Sequence, residues 1–161
     1  MKRHPGLHAL SQHHHFALIQ SLFIRRARQQ PAGRRATAVQ RVAEKFLRFW
    51  IQNGQQHFRE EEEILLPAYA RHIPIETDPD VMRMLADHAA IRARTERLQE
   101  LLEAKEPVEA VLAELGRMLT DHVRLEENCI FPKMEKTLSA AELEALGKRL
   151  TRLHAKGSCE I

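Results

Sequence analysis

Apolar residues recur at spacings of three and four along most of this chain, which is the period of an amphipathic α-helix. Four long segments show the pattern, at about residues 7–30, 37–70, 79–104 and 107–136. A shorter segment follows Ser139, which stands three residues before Glu142 in the arrangement of a helix capping box. Strands have little support, because β-branched and aromatic residues are sparse while Leu, Ala, Glu, Arg and Gln are frequent.

These segments predict an all-α fold, an up-down-up-down four-helix bundle with a short C-terminal fifth helix. The chain has 161 residues, a length that suits one domain with a buried core. We expect residues 1–136 to form the bundle and residues 137–161 to form a C-terminal helix and tail that pack on the same domain.

Proline, glycine and capping residues predict where the helices end or bend. The stretch Pro31-Ala32-Gly33 should end the first helix, and Asp78-Pro79 should cap and begin the third. Pro67 and Pro132 should each kink their helix or end its regular part. Gly54 costs about 1 kcal/mol in helix propensity, but the second helix is predicted to continue through it.

The predicted inward face of the first helix contains a histidine among its leucines. This face contains Leu7, Leu10, His14, Leu18 and Leu22, and it is flanked by Phe16, Ile19 and Phe23. The same spacing rule places His57, His88 and His122 on the inward faces of the other three helices. Each long helix therefore offers at least one potential metal ligand to the interior of the bundle.

One motif occurs twice in the chain. The stretch from His57 reads HFREEEEILLP, and the stretch from His122 reads HVRLEENCIFP. The two align without a gap, so Glu61 matches Glu126, and each glutamate follows its histidine by four residues. Residues four apart lie on the same side of a helix, so each imidazole and carboxylate can reach one point. Two such pairs on two helices predict two metal ions that share the carboxylates.

The cost of burial supports this interpretation. Several imidazoles and two carboxylates inside a helical bundle are unfavourable unless a cation binds them. On the first helix the ligand is either His14, which lies nearer the leucine face, or His15. The spacing of His15 to the next apolar residue matches the spacing at His88 and His122.

This order of residues over four helices resembles the hemerythrin-like (HHE cation-binding) family. The resemblance covers about residues 5–136 and implies an oxo- or hydroxo-bridged pair of iron ions in a four-helix bundle. It implies that His57 and His122 are terminal iron ligands and that His88 is the ligand from the third helix. The two glutamates that follow the twin histidines, Glu61 and Glu126, would bridge the irons.

Two positions depart from the pattern of the hemerythrins that carry oxygen. Arg92 stands where those proteins present a second histidine on the third helix, four residues after the first. Glu126 stands where they use aspartate as the last bridging ligand. These departures weigh against coordination by five histidines and against reversible carriage of O2.

Composition and charge exclude several other classes of function. The net charge of +3 and a pI near 9.1 do not indicate nucleic-acid binding. No stretch is long and apolar enough to span a bilayer, and no signal peptide is recognisable. Two cysteines, Cys129 and Cys159, do not form a disulfide framework, which favours the cytoplasm. Cys129 is expected to be a small buried residue.

We therefore expect a non-haem di-iron protein that binds or senses O2, peroxide or NO, with a role in oxidative or nitrosative stress. A metal-binding or sensor protein is favoured over a dedicated enzyme, because the sequence contains no nucleophile-and-base set and no nucleotide motif. Weak peroxidase-like or oxidase activity would be compatible with such a centre. One alternative is an iron store or donor for iron–sulfur repair. Another is a regulator in which the bundle docks a protein partner.

Overall fold

The computed structural model describes the backbone of residues 3–157 and the side chains of residues 3–151. The helical segments group into five helices, and no strand occurs in this part of the chain. Their bounds are α1 (His8–Arg28), α2 (Ala32–Phe49, Gln55–Glu60 and Leu66–Tyr69), α3 (Pro79–Glu103), α4 (Glu109–Leu125 and Phe131–Thr137) and α5 (Ala140–Gly157). Short 3₁₀ turns precede α1 and α3, at Pro5–Leu7 and Ile75–Thr77.

The first four helices form an antiparallel bundle, which confirms the predicted fold. Helix α1 packs against α2 and α4, and α3 packs against the same two helices. Helix α5 packs on the turn at Pro5–Leu7 and closes one end of the bundle. Among the described residues, no helix has the length and apolar content that a membrane span requires.

Most of the predicted caps are present. Asp78 accepts hydrogen bonds from the backbone N–H groups of Asp80 and Val81, and Pro79 occupies the first turn of α3. Ser139 and Glu142 form the predicted capping box at the start of α5. The predicted break at Pro31 is confirmed, but the predicted start of the second helix near residue 37 is wrong, because α2 begins at Ala32 and the Pro31 carbonyl accepts its first helical hydrogen bonds.

Three π-helical turns interrupt α2 and α4, at Trp50–Gly54, Glu61–Leu65 and Glu126–Ile130. The last two begin at the matching glutamates of the twin motif and end just before the residue that precedes each proline. The N–H of Leu66 bonds to the carbonyl of Glu61, and the N–H of Phe131 bonds to that of Glu126, five residues back. The wider turn relieves the clash between each proline ring and the preceding turn, so both helices continue past their prolines.

The interior contains two apolar clusters with a polar layer between them. One cluster includes Leu7, Leu10, Leu65, Phe131 and Leu150, and the other includes Ile24, Phe46, Ile91, Leu98 and Leu115. Along α1, α3 and α4 a histidine separates the residues of the first cluster from those of the second. The fold therefore holds the histidines in a buried layer between the two apolar clusters.

The predicted inward face of α1 is partly wrong. Ala17 and Ile24 are buried there, whereas Leu18, Phe16 and Phe23 are 39%, 50% and 41% exposed. Successive steps of four residues rotate about 40° around a helix, so a row from His14 through Leu18 and beyond drifts away from the bundle axis. Alternating steps of three and four keep the inward face at Leu7, Leu10, His14, Ala17 and Ile24.

Candidate metal centre

Six potential ligands meet in the polar layer between the two apolar clusters. They come from all four bundle helices, and each is at most 6% exposed: His14, His57, Glu61, His88, His122 and Glu126. The twin motif supplies four of the six, because its spacing of four residues directs each histidine and its glutamate to the same side of the helix.

The six residues divide into two half-sites that share both glutamates. His14 and His57 form one half-site, and His88 and His122 form the other. In each half-site the nitrogen and carboxylate oxygen atoms lie within 4.8 Å of one another. This is the arrangement that two bound cations with shared carboxylates require.

Each glutamate presents one oxygen to each half-site. Glu61 Oε1 lies 3.4 Å from His57 Nε2, and its Oε2 lies 3.2 Å from His88 Nε2. Glu126 Oε2 lies 2.9 Å from His14 Nε2, and its Oε1 lies 3.1 Å from His122 Nε2. Each glutamate side chain is therefore oriented toward both half-sites.

These short approaches do not satisfy the buried polar atoms. Among the described residues, both oxygens of Glu61, both oxygens of Glu126 and the Nε2 atoms of His88 and His122 have no partner in hydrogen-bond geometry. Leaving such atoms unpaired inside a protein costs about 1–3 kcal/mol each. Imidazole nitrogens and carboxylate oxygens are ligands for transition-metal ions, so the donor set fits a pair of cations.

The buried carboxylates of this layer favour positive charge beside them, whether it is carried by protons on the histidines or by a bound metal ion. Burial lowers the pKa of His57 to about 3, which keeps this imidazole neutral, as a metal ligand must be. Burial alone would lower the pKa of His88, but the nearby carboxylates of Glu126 and Glu61 raise it to about 10, so a metal ion bound there would displace a proton. Burial would likewise raise the pKa of Glu126, yet His122, His14 and His88 hold it well below its usual range. The carboxylates therefore remain ionised at neutral pH.

A protein-family model matches most of this chain. The model of the hemerythrin HHE cation-binding domain matches residues 6–134, and a second match covers residues 82–159. The chain belongs to this family. Comparison with curated proteins gives no significant match. The buried histidines and glutamates of this hemerythrin-like domain are thus the residues available to its cation site.

Arg92, which replaces the second histidine of oxygen-carrying hemerythrins, orients His88 in this hemerythrin-like domain. Its guanidinium makes two hydrogen bonds to Glu62, at 2.8 and 2.9 Å, and Glu62 accepts another from His88 Nδ1 at 2.8 Å. The Arg92 guanidinium also lies over the ring of Phe58, which stacks on His88 with ring centres 3.7 Å apart. His88 is therefore fixed on two sides.

The same arrangement recurs around His14. Arg3 pairs with Glu127 at 2.7 Å, and Glu127 accepts a hydrogen bond from His14 Nδ1 at 2.6 Å. Arg3 also lies over Phe131, whose ring stacks on His14. Carboxylates that accept the outer N–H of a ligand histidine fix its tautomer and orientation. One histidine in each half-site is therefore held by an Arg–Glu pair and a phenylalanine.

The structure distinguishes the two histidine candidates on α1 and corrects the expected surroundings of other residues. His14 lies in the cluster, whereas the side chain of His15 is exposed outside it. Glu60 is fully buried beside Glu61, whereas Glu62 is partly buried and Glu63 is exposed. Cys129 is exposed rather than buried, because it faces away from the bundle on the π-helical turn of α4. Cys159 lies outside the described residues.

Sequence reasoning missed the outer carboxylates. Glu62 and Glu127 occupy matching places in the twin motif, directly after the glutamates of the cluster. That duplication was a usable signal, because adjacent helical residues point about 100° apart and so reach a different neighbour. Asp87 likewise reaches a neighbouring helix and not the histidine next to it in sequence. Its Oδ2 lies 3.9 Å from Nδ1 of His122.

Replacing Glu62 with alanine should weaken metal binding at the half-site of His88 and His122. We expect the affinity of that half-site to fall about 10–100-fold, because His88 loses the carboxylate that orients it. Competition with a chromophoric chelator would measure the change. Glu63→Ala, which removes an exposed glutamate paired with Arg59, is the matched control and should leave affinity unchanged. Equal losses in both variants would contradict an orienting role.

Proposed function

We propose that this chain is a hemerythrin-like non-haem di-iron protein that binds O2, peroxide or NO, in a response to oxidative or nitrosative stress. The observation that carries the proposal is the pair of glutamates, each of which presents one oxygen to each half-site. Two histidines and two carboxylate oxygens per ion would leave coordination positions for a small ligand. Four imidazoles with shared carboxylates suit iron.

A small apolar cavity beside the centre supports a small ligand. It borders His14, His57 and His122, and its other walls include Ala17, Trp50, Leu119 and Val123. Its volume available to a water-sized molecule is about 20 Å³, whereas one water needs about 10–15 Å³ on this measure. The cavity thus suits a diatomic molecule and is too small for an organic substrate.

The surrounding residues would control what reaches the centre. Gly54 permits this packing, because a Cβ atom at that position would lie 2.4 Å from the Trp50 ring. Trp50 in turn packs edge-on against Phe58, which stacks on His88. These rings pack against the histidines and would limit the access of water to the centre. Bound iron would supply the redox chemistry and the open coordination positions.

Anaerobic purification followed by metal analysis tests the proposal. We expect about two irons per chain and a change in visible absorption on exposure to O2 or NO, because each half-site offers a complete set of protein ligands. A folded chain without stoichiometric metal would contradict it. Rapid loss of iron to a weak chelator would instead favour the iron-donor function, although the burial of the ligands favours retention.

We also propose a cytoplasmic location, which suits the exposed thiol of Cys129.

Filling the cavity should separate ligand binding from metal binding. Ala17→Leu is expected to slow the O2- or NO-dependent absorption change about 10-fold or more, since its side chain would occupy the space beside His14. The iron content should stay the same. Ala27→Leu is the matched control, because Ala27 is equally buried on α1 but lines no part of this cavity. Equal rates in the two variants would show that the ligand takes another route.

A further inference from the structure

The outer nitrogen of His57 has surroundings unlike those of the other three cluster histidines. The outer nitrogens of His14, His88 and His122 each face a carboxylate, at 2.6, 2.8 and 3.9 Å respectively. The Nδ1 atom of His57 instead lies 3.3 Å from Nδ1 of His13. A carboxylate oxygen of Glu60 lies within 4.8 Å of the ligand atoms of both histidines.

These three residues have the spacing of a metal site. Nδ1 of His13 lies 3.3 Å from Nδ1 of His57 and 3.8 Å from Oε2 of Glu60, and all three ligand atoms lie within 4.8 Å of one another. Metal–nitrogen and metal–oxygen bonds near 2.0–2.1 Å place neighbouring ligands of a tetrahedral ion roughly 3.4 Å apart. Two histidines and one carboxylate, with a fourth position open to water, form a common zinc-binding set.

The cluster lies where an ion can enter from solvent. The side chain of His13 is 16% exposed, whereas the carboxylate of Glu60 is fully buried behind it. His57 and Glu60 are three residues apart on α2, and His13 comes from α1, so the bundle itself holds the three together. Gln56 Nε2 donates a hydrogen bond to Oε1 of Glu60 at 3.0 Å, while Oε2 is the oxygen that lies 3.8 Å from His13 Nδ1.

We propose that His13, His57 and Glu60 form a third cation site, which binds a divalent transition-metal ion such as Zn²⁺ on the solvent side of His57. The ion is bound by Nδ1 of His57, while Nε2 of the same ring faces the proposed di-iron centre. When both nitrogens bind metal, the Nδ1 proton of His57 passes to solvent water. Occupancy of the outer site is thereby coupled to the inner centre through one shared imidazole. The coupling rests on the proposed function, but the outer site does not.

Zinc binding to the metal-loaded protein tests this site. After equilibrium dialysis against Zn²⁺, we expect wild type to retain about one more zinc ion per chain than His13→Ala or Glu60→Gln. His15→Ala is the matched control, because it removes an exposed neighbouring histidine, and it should retain as much zinc as wild type. Circular dichroism would verify that all variants are folded, and Glu60→Gln preserves side-chain volume if His13→Ala is unstable.

The outcomes separate the outer site from the inner centre. Equal zinc in wild type and both outer variants would overturn the proposal, whether the shared value is high or low. Loss of zinc in the His15 variant to the same extent would also overturn it. If the inner centre holds no metal, the outer site predicts a single zinc ion that His13→Ala removes, so failure of the proposed function would be recognised independently.

Discussion

Replacing Glu61 and Glu126 together with glutamine should abolish metal binding at both half-sites. Each carboxylate offers one oxygen to each half-site, so the double variant removes every shared ligand at once. We expect the metal content to fall from about two ions per chain to nearly none, a larger effect than the 10–100-fold typical of outer partners. Elemental analysis of the purified variant measures this directly.

The control keeps the change in charge but moves it to the surface. Glu100→Gln/Glu103→Gln alters two exposed glutamates on α3 and should retain the metal content of wild type. The bridging variant should remain folded without metal, because it removes two buried charges that have no hydrogen-bond partner. Retention of stoichiometric metal by the bridging variant would contradict the assignment of both glutamates.

His14→Ala should remove about half of the bound metal, whereas His15→Ala should remove none. Nε2 of His14 lies 2.9 Å from Glu126, and its ring stacks on Phe131, so its loss opens one half-site and removes one of the hydrogen-bond partners of Glu127. The metal-free variant should also lose about 1–3 kcal/mol of unfolding free energy. The side chain of His15 is exposed, and its replacement should change stability by less than about 0.5 kcal/mol.

Metal analysis and chemical denaturation of the two variants decide between the adjacent histidines. Both substitutions delete the same imidazole from neighbouring positions on α1, so composition and helix propensity change equally. A loss of metal in the His15 variant, with full metal in the His14 variant, would reverse the assignment. Similar losses in both would indicate that α1 can rotate to supply either residue.

His14 and His88, one in each half-site, have similar surroundings that the repeated motif does not explain. The arginines that support Glu62 and Glu127 come from unrelated parts of the chain, α3 for Arg92 and the segment before α1 for Arg3. The two phenylalanines also occupy different places in the twin motif, directly after its histidine for Phe58 and before its proline for Phe131. A similar surrounding for His14 and His88 therefore arises from packing rather than from duplication.

The local spacing of residues in the sequence predicts most of the helices of this protein and the pairing of its histidines with glutamates. Helical periodicity predicted four long helices and a fifth, and the Asp78 and Ser139 caps were placed correctly, because both signals act within one or two helical turns. The His-x-x-x-Glu spacing also predicted which side chains point inward together, since four residues return to the same face of a helix. The family resemblance, now confirmed, followed from the same residues.

Other features were decided only by the tertiary structure. His14 and His15 are neighbours with equal propensity, and the rotation of α1 against α2 and α4 determines which of them lies in the cluster. Arg3 and Glu127 are 124 positions apart, so no local pattern could pair them. The π-helical turns, the buried position of Glu60 and the cavity beside Trp50 likewise depend on how four helices pack. The sequence by itself determined which histidines and glutamates could serve as ligands and on which helices they lie, while packing between distant residues decided which side chains orient them.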